Sequence, residues 1–244
     1  MVGIVLFAIV GELGSGKTLT LTYLAWHNWL HRGRRIYSNL TLYGFPFTKV
    51  TSVDDLDRMR EGFGAFDELW LSISSWSRSK KIEFITSILL KSRKRGLTIC
   101  FTTQSISQIN KRIREVTDFL AYALMSVDNS YCRVEIFRGP KPSIGTRMKP
   151  PIYFNVEPVI AMYNTYEEVK PLIPKEEAEK LNLPVSEEVF IPITQNPAWI
   201  RYLRSKGIRT KDRILKYSQK IMKVINPEGI TSEDQREHED FEVV

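Results

Sequence analysis

The fold of this chain is decided by Gly11-Glu12-Leu13-Gly14-Ser15-Gly16-Lys17-Thr18, which has the pattern G-x-x-x-x-G-K-[ST]. The preceding residues, 2–10, are apolar and rich in Val and Ile, which predicts a buried parallel strand. The following residues, 17–31, predict a helix that stops at Gly33. In this arrangement the backbone N–H groups of the turn and the helix N-terminus surround phosphate oxygens. The stretch therefore predicts a nucleotide-binding turn, and a glycine turn without a ligand is the alternative.

The side chains of this turn have separate expected roles. Lys17 is expected to reach the β- and γ-phosphates, and the Thr18 hydroxyl is expected to ligate Mg²⁺. The sequence thus predicts ATP and Mg²⁺ as ligands. The predicted nucleotide-binding residues are Gly11, Gly14, Ser15, Gly16, Lys17, Thr18 and Leu19.

An acidic pair, Asp67-Glu68, follows the short apolar run 62–66. In folds with such a turn, an aspartate after a strand holds Mg²⁺, and a following glutamate can orient and deprotonate the attacking water. We assign the metal role to Asp67 and the general-base role to Glu68. A water activator favours hydrolysis over a small-molecule kinase, which must exclude water. The alternative is an ordinary acidic helix cap after a strand.

A further apolar strand is predicted over residues 97–103, and Gln104 follows it. The Gln104 amide could contact both the γ-phosphate and the attacking water, and so sense the state of the nucleotide. A surface glutamine in a turn is the alternative interpretation.

A basic stretch precedes that strand, with seven Lys/Arg against Glu83 over residues 78–95. An arginine from a neighbouring subunit could neutralise charge that develops on the γ-phosphate. Arg93 is the first choice and Arg95 the second, while Arg112 and Arg114 remain open. A solvated helix end, favoured by the helix dipole, is the alternative.

Strands alternate with helices along the first half of the chain, which predicts an α/β fold with a parallel sheet covered on both faces. Residues 119–127, 131–137 and 151–156 predict antiparallel edge strands. Further predicted elements are a strand at 35–42, a short helix capped by Ser52, a helix at 82–95, a helix at 106–116 and two helices on either side of Gly207. The expected organisation is an ATPase domain over 1–170, a linker over 171–197, a basic helical appendage over 198–225 and an acidic, disordered tail over 226–244.

The overall composition is that of a globular protein, with 43% hydrophobic and 11% aromatic residues. Two cysteines without a CxxC pair exclude a zinc cluster or disulfide framework of the usual spacing. The longest apolar runs are far shorter than the roughly 20 residues that span a bilayer. These features predict a cytoplasmic protein without a membrane span.

Positive charge is concentrated near the C-terminus, where residues 201–223 carry nine Lys/Arg against Asp212 alone. Residues 226–244 then carry seven acids against Arg236. A basic block predicts a polyanionic partner, for which the acidic tail could compete. The block permits a helix-turn-helix-like DNA contact or docking to an acidic capsid or terminal protein. Residues 69–81, with Trp76, are a second candidate for contacting DNA. A solvated helix and two packed tryptophans are the plainer interpretations.

GELGSGKT, FDE and the basic SRKRG turn before a strand ending in TTQ resemble the FtsK–HerA superfamily of DNA-pumping ATPases. YSNLTL and QINKRIREVTDF make the sequence most similar to the Zot-like branch, the ATPase domains of filamentous-phage assembly proteins. The resemblance covers about residues 3–125. It implies a RecA-like P-loop NTPase fold, a ring that is often hexameric, MgATP hydrolysis and work on DNA. By position, the resemblance implies that Gly16, Lys17 and Thr18 bind the nucleotide and the metal. It implies that Asp67 holds the metal and Glu68 activates the water. It also implies that Gln104 is the sensor and that Arg93 is the arginine finger. Phage Zot-type proteins carry a membrane-spanning helix beyond this domain, which is not found here.

The leading hypothesis is a DNA-translocating ATPase that packages a viral genome or transfers mobile-element DNA, and it could be virion-associated. The alternatives are an assembly ATPase that acts on protein, a small-molecule kinase and a nucleotide-binding scaffold without turnover. DNA-stimulated hydrolysis distinguishes the first hypothesis from the second. Unchanged turnover in Glu68→Gln would indicate the scaffold.

Overall fold

A computed structural model of the chain describes residues 5–69, 91–109, 111–139, 146–148, 150–173, 175–181 and 186–227. The described residues include one mixed sheet with the strand order β8-β7-β6-β1-β5-β4-β2-β3-β9. The strands are β1 (Leu6–Val10), β2 (Ile36–Ser38), β3 (Phe47–Lys49), β4 (Gly62–Phe66), β5 (Leu97–Thr103), β6 (Phe119–Met125), β7 (Tyr131–Arg138), β8 (Ile152–Asn155) and β9 (Glu188–Val189).

Six neighbouring strands, from β6 to β3 in the sheet order, run parallel. Antiparallel strands lie at both ends, with β7 and β8 beside β6, and β9 beside β3. The predicted parallel sheet with antiparallel edge strands is therefore confirmed. Because the six parallel strands all end at one edge, the loops that follow them meet there, which is where open α/β sheets bind ligands.

Helices cover both faces of this sheet. They are α1 (Lys17–Arg32), α2 (Val53–Arg58), α3 (Lys111–Glu115), α4 (Val156–Ala161), α5 (Lys175–Lys180), α6 (Pro197–Ser205) and α7 (Lys211–Ile225). The core on one face includes side chains from α1, α4, α6 and α7. The core on the other face includes side chains from α2 and α3. The α/β class predicted from the sequence is thus confirmed.

Strand β1 is buried on both sides. Leu6, Ala8 and Val10 pack in one core, and Ile9 packs in the other. A strand covered by helices on both faces needs an uninterrupted apolar run, which explains why residues 5–10 lack polar alternation. This strand places the glycine-rich turn at the carboxyl edge of the sheet.

Two of the predicted elements are wrong in extent. The strand expected over 35–42 is only Ile36–Ser38, because the chain bends after Ser38, whose hydroxyl accepts a hydrogen bond from the Leu40 amide at 3.0 Å. The helix expected over 106–116 is instead a 3₁₀ turn over Ile106–Gln108 and the short α3, since the Ile109 backbone is extended.

Other elements are confirmed or lie outside the described residues. The Ser52 cap is confirmed, with the Ser52 hydroxyl accepting from the Asp55 amide at 3.1 Å and Asp55 accepting from the Ser52 amide at 2.9 Å. Strand β3 was not predicted, since its three residues show too little pattern. Of the helix expected over 82–95, residues 82–90 lie outside the described residues, and Ser92–Arg95 form a 3₁₀ turn.

The C-terminal segments pack on the same core as α1. The range expected as a linker includes β9, which pairs with β3 through Val189 and Phe47. Trp199 of α6 is fully buried, and its indole N–H donates to the Ser218 hydroxyl of α7 at 2.9 Å. The Trp26 indole of α1 donates to the Ile225 carbonyl at the end of α7, at 2.7 Å. These contacts attach the basic helices directly to α1.

The helices on either side of Gly207 are confirmed as α6 and α7. Most of the expected acidic tail, residues 228–244, lies outside the described residues. Within the described part of the chain, no helix combines the length and apolar character that crossing a bilayer requires.

Candidate active site

Strand register brings the candidate residues to one edge of the sheet. Val10 at the end of β1 lies beside Thr103 of β5, and Phe66 at the end of β4 lies beside Phe101 of β5. The glycine-rich turn, the acidic pair and Gln104 follow these strand ends directly. The three predicted parts of the site therefore lie at the same carboxyl edge.

Two glycines of the turn occupy positions where an added Cβ atom would require a neighbouring side chain to shift. A Cβ atom at Gly11 would lie 2.5 Å from the Ser15 hydroxyl oxygen. Gly16 has φ 96°, and a Cβ there would lie 3.0 Å from the Met125 sulfur. The backbone of the turn therefore stays close to its own loop and to β6, so its shape depends on glycine at both positions.

The N-terminus of α1 faces this turn. The Thr20 amide donates to the Gly16 carbonyl at 2.9 Å, so the amides of residues 17–19 precede the first bond of the helical ladder. Such amides and the helix dipole attract anions. This is the position that the sequence assigns to phosphate contacts from Lys17, Thr18 and Leu19.

Lys17 lies folded against the turn, and its ammonium group donates to the Glu12 carbonyl at 2.8 Å. Burial lowers the pKa of Lys17, and the nearby carboxylates of Asp67 and Glu68 act in the opposite direction. The ammonium group is therefore close enough to both acids to interact with their charges.

Ser15 has a polar atom without a partner. Its hydroxyl oxygen is buried and makes no hydrogen bond within the described residues. A buried hydroxyl left unpaired costs about 1–3 kcal/mol. This orphan atom lies inside the turn, as expected if the turn holds a ligand with hydrogen-bonding oxygens.

Asp67 is held by hydroxyl groups from two other elements. The Thr18 hydroxyl donates to the Asp67 carboxylate at 3.1 Å, and the Thr102 hydroxyl of β5 donates to it at 2.5 Å. Asn39 fixes the backbone of the same residue, accepting from the Asp67 amide at 2.8 Å and donating to its carbonyl at 2.7 Å. The acidic pair is therefore joined to the turn through Thr18.

Asp67 is buried, with 9% of the residue's surface exposed. Burial raises the pKa of Asp67, although the hydrogen bonds from Thr102 and Thr18 and the charge of Lys17 favour the ionised form. A buried carboxylate with a raised pKa carries charge that the protein stabilises incompletely. A cation bound beside Asp67 would supply the missing stabilisation.

Glu68 adopts an unusual backbone conformation, with φ 46°. Its amide donates to the Thr102 hydroxyl oxygen at 2.8 Å, which holds the residue in this left-handed turn. Burial raises the pKa of Glu68, the Asp67 charge raises it further and Lys17 opposes both. A partly buried carboxylate with a raised pKa is a suitable proton acceptor.

Gln104 is exposed immediately after β5. Neighbouring Thr103 is buried, and its hydroxyl donates to the Ser105 carbonyl at 3.0 Å. The structure therefore places Gln104 at the edge of the site with its side chain in solvent. Its sensor role stays a prediction.

The candidate finger arginines lie elsewhere. Ser92–Arg95 precedes β5, so this turn lies at the amino edge of the sheet, opposite the glycine-rich turn. The Arg95 guanidinium is bound to the Asp57 carboxylate at 2.7 Å and to the Asp57 carbonyl at 2.7 Å. A finger at this edge could reach only the site of a neighbouring copy. The role of Arg93 stays a prediction.

Several other candidates cannot be placed. The side chains of Arg93 and Arg112 lie outside what the structure describes, as do residues 70–81 with Trp76. Arg114 is half-buried on α3.

The described residues fit the ligands that the sequence predicts. The turn offers helix amides, the Lys17 ammonium group and the orphan Ser15 hydroxyl, which are donors suited to phosphate oxygens. Thr18 and Asp67 offer oxygen ligands side by side, as Mg²⁺ prefers. The described residues contain no group of three or more His, Cys, Asp or Glu placed so that it could hold a metal ion. A site with one carboxylate suits an ion that is also bound by substrate phosphates.

Sequence reasoning assigned no role to two residues of this site, Thr102 and Asn39. Thr102 connects the Asp67 carboxylate to the Glu68 amide, and Asn39 fixes the Asp67 backbone. A signal for Thr102 was available, since a polar residue ends the apolar run of β5. Asn39 lies in the YSNLTL stretch, whose strand was predicted too long to identify it as a loop residue.

Comparisons with known proteins agree with the resemblance inferred from the sequence. Residues 47–125 match the zonular occludens toxin (Zot) family, which covers about a third of the chain, from β3 to β6. The resemblance to Zot-like proteins is therefore confirmed. The wider placement in the FtsK–HerA superfamily stays a prediction. No curated protein sequence matches the chain.

Three solved structures illustrate the similar folds. The N-terminal domain of zonular occludens toxin from Neisseria meningitidis is 17% identical, with a TM-score of 0.48, over 66% of this chain and all of that one. The genome packaging NTPase B204 from Sulfolobus turreted icosahedral virus 2, in complex with AMP, is 13% identical, with a TM-score of 0.37, over 53% of this chain and 79% of that one. The conjugation coupling protein TcpA of pCW3, with ATPγS, is 12% identical, with a TM-score of 0.42, over 63% of this chain and 60% of that one.

Proposed function

We propose that this protein is an ATPase that hydrolyses MgATP at the carboxyl edge of its sheet and uses the reaction to move DNA. The observation that carries the proposal is the hydrogen bond of 3.1 Å between the Thr18 hydroxyl and the Asp67 carboxylate. It joins the glycine-rich turn to the acidic pair, which are 49 residues apart in the chain. This pairing is what a phosphate-binding turn and a metal-holding aspartate require.

In this site the protein's own residues position the triphosphate and the attacking water. The Gly11–Thr18 turn and the N-terminus of α1 bind the phosphates, with Lys17 moving from the Glu12 carbonyl to phosphate oxygens. Thr18 and Asp67 would hold Mg²⁺, which when bound neutralises charge on the β- and γ-phosphates.

We assign the activation of the attacking water to Glu68. Its carboxylate accepts a proton from the water as the water oxygen attacks the γ-phosphorus and the bond to the β-phosphate oxygen breaks. The products are ADP and inorganic phosphate, and the proton on Glu68 then returns to solvent. Thr102 supports this step by fixing the Glu68 backbone.

The DNA part of the proposal is supported by the Zot-like resemblance and by charge. The chain carries 35 Lys/Arg against 28 Asp/Glu, and the excess lies in residues 201–223. Phosphate contacts without base readout are what a translocating protein needs. We also propose a homo-oligomeric ring, in which Arg93 of one copy acts at the site of the next.

The test is ATP turnover by the purified full-length protein with and without linear duplex DNA, at low and moderate salt. We expect turnover to rise with DNA at low salt. Lys17→Ala should abolish turnover, and Glu68→Gln should lower kcat by about 10²–10⁴-fold while nucleotide binding persists. Glu12→Gln is the matched control, because only the Glu12 carbonyl is used in the site.

The outcomes separate the possible functions. Normal turnover in Lys17→Ala would show that the site assignment is wrong. A wild-type rate at background that is unchanged in Glu68→Gln would indicate a nucleotide-binding scaffold, whereas a wild-type rate above background that persists in Glu68→Gln would show that another group activates the water. If the rate of turnover were the same with and without DNA, the DNA part of the proposal would be wrong, and the result would favour an assembly ATPase that acts on protein.

A further inference from the structure

Helix α7 carries a line of cations along one side. Arg213, Lys216, Lys220 and Lys223 follow each other at spacings of three, four and three residues, so they lie on one face of the helix. All four are exposed. At 1.5 Å per residue this basic stripe is about 15 Å long.

The opposite face of α7 is anchored in the protein. Ser218, Ile221 and Ile225 are buried, and Ile225 accepts the hydrogen bond from Trp26 of α1. The stripe therefore points away from the core by helix geometry. It is attached firmly to the helix whose N-terminus carries Lys17 and Thr18.

The cations of the stripe form no ion pair with any acid among the described residues. The Lys220 ammonium group lies 5.9 Å from the centroid of the Tyr217 ring. By contrast, exposed Lys111 of α3 is paired with Glu115 at 3.8 Å. Like charges at these spacings repel, so the stripe disfavours the isolated helix. An external anion would remove that repulsion.

We propose that the stripe Arg213-Lys216-Lys220-Lys223 is a docking site for the phosphate backbone of duplex DNA. The inference rests on the proposed function for the presence of DNA and adds where the DNA binds. Duplex DNA carries about one negative charge per 1.7 Å of axis, so the stripe faces a continuous row of phosphates.

The composition of the stripe favours DNA over an acidic protein. The centre of a protein–protein interface is depleted of charged residues and enriched in aromatic residues and Met. The stripe has four cations, and the exposed residues beside it on α7 include Asp212, Leu215, Gln219 and Val224, while the Tyr217 ring near Lys220 is half-buried. Lysines that project as separate point charges suit a backbone that is read without regard to sequence.

The experiment measures binding of a fluorescent 30-base-pair duplex of mixed sequence to the full-length protein over a range of salt concentrations. We expect Lys216→Ala/Lys220→Ala to weaken binding at low salt by about tenfold or more. It should also reduce the slope of log affinity against log salt by about two, since each lost phosphate contact removes about 0.9. Lys170→Ala/Lys180→Ala is the control, because both lysines are exposed outside α7.

Two results would overturn the inference. The first is equal binding and equal salt slope in the stripe variant and the control. The second is tighter binding of polyglutamate than of DNA to the wild-type protein, with the loss in the stripe variant seen for polyglutamate, which would make the partner an acidic protein.

Hydrolysis separates this inference from the proposed function. The stripe variant should keep the DNA-free rate and reach the wild-type stimulated rate at a higher DNA concentration. A wild-type protein that binds DNA through the stripe but is not stimulated by it would contradict the proposed function and leave the docking site supported.

Discussion

The carboxyl edge of the sheet and the basic stripe of α7 both concentrate charge, but the two regions differ in how far the charged groups are buried and hydrogen-bonded. At the edge, Asp67 is buried, held by three other residues and shifted in pKa. On α7, the four cations are exposed and bind no described acid. Buried, positioned charge suits chemistry on one molecule, while exposed charge suits additive, salt-dependent attraction to a polymer. The two regions should therefore respond differently to substitution.

Outside the residues assigned to nucleotide, metal and water, the largest expected effect is at Thr102, which we infer to be a positioning residue. Thr102→Val keeps the shape of a residue buried in β5 but removes the donor to Asp67 and the acceptor for the Glu68 amide. We expect kcat to fall by about 10–100-fold with a smaller change in KM, as measured by steady-state ATP turnover.

The control for this substitution is Thr98→Val at the other end of β5. The Thr98 hydroxyl accepts a hydrogen bond from the Arg34 guanidinium at 2.9 Å and lies away from the site. Its kcat should stay within about twofold of wild type. Equal effects at the two threonines would mean that Thr102 acts only through the stability of β5.

The next effect is the dependence of turnover on pH. Glu68 must be ionised to accept a proton, and its pKa is raised above the ordinary 4.5 by burial and by Asp67. We expect kcat/KM to fall as pH is lowered, with a midpoint above 4.5 and a slope of about tenfold per pH unit below it.

The same shifts give the sign of the stability change. A carboxyl whose pKa is raised by folding binds its proton more tightly in the folded state. Its contribution to the free energy of unfolding is therefore more favourable at low pH and declines as pH rises through the raised pKa. In the pH profile of kcat/KM, a midpoint at or below pH 4.5 would contradict the assignment of the acid limb to a Glu68 whose pKa is raised by burial.

The smallest effect is on the stability of α7. Lys216→Glu turns the like-charge contacts with Arg213 and Lys220 into attractive ones, and turns the attractive contact with Asp212, four residues earlier, into a repulsive one, so the net change is favourable by about one pair. We expect the free energy of unfolding to rise by about 0.5 kcal/mol in urea titration, while DNA affinity falls. Lys170→Glu should change stability by less than this. A destabilised Lys216→Glu would show that Lys216 makes a favourable contact within the chain.

Sequence patterns were sufficient where the determinant is local. The apolar run of β1, the glycines of the turn and the Ser52 cap each depend on neighbours within a few residues, and each was predicted at the right place. The predicted extents of the strand at 35–42 and the helix at 106–116 were wrong, because the same β-branched and amphipathic patterns are also compatible with bent or 3₁₀ backbone. Whether such a segment continues depends on what packs against it.

By itself, the sequence determined the glycine-rich turn, the acidic pair, the alternation that makes a parallel sheet and the concentration of cations near the C-terminus. Only the tertiary structure decided that Thr18 meets Asp67, that Thr102 and Asn39 hold the acidic pair, and that α7 is anchored to α1. The reason is physical. Backbone conformation and hydrophobic periodicity are set by adjacent residues, whereas hydrogen bonds between residues far apart in the chain depend on strand order and register, which are fixed when the core packs.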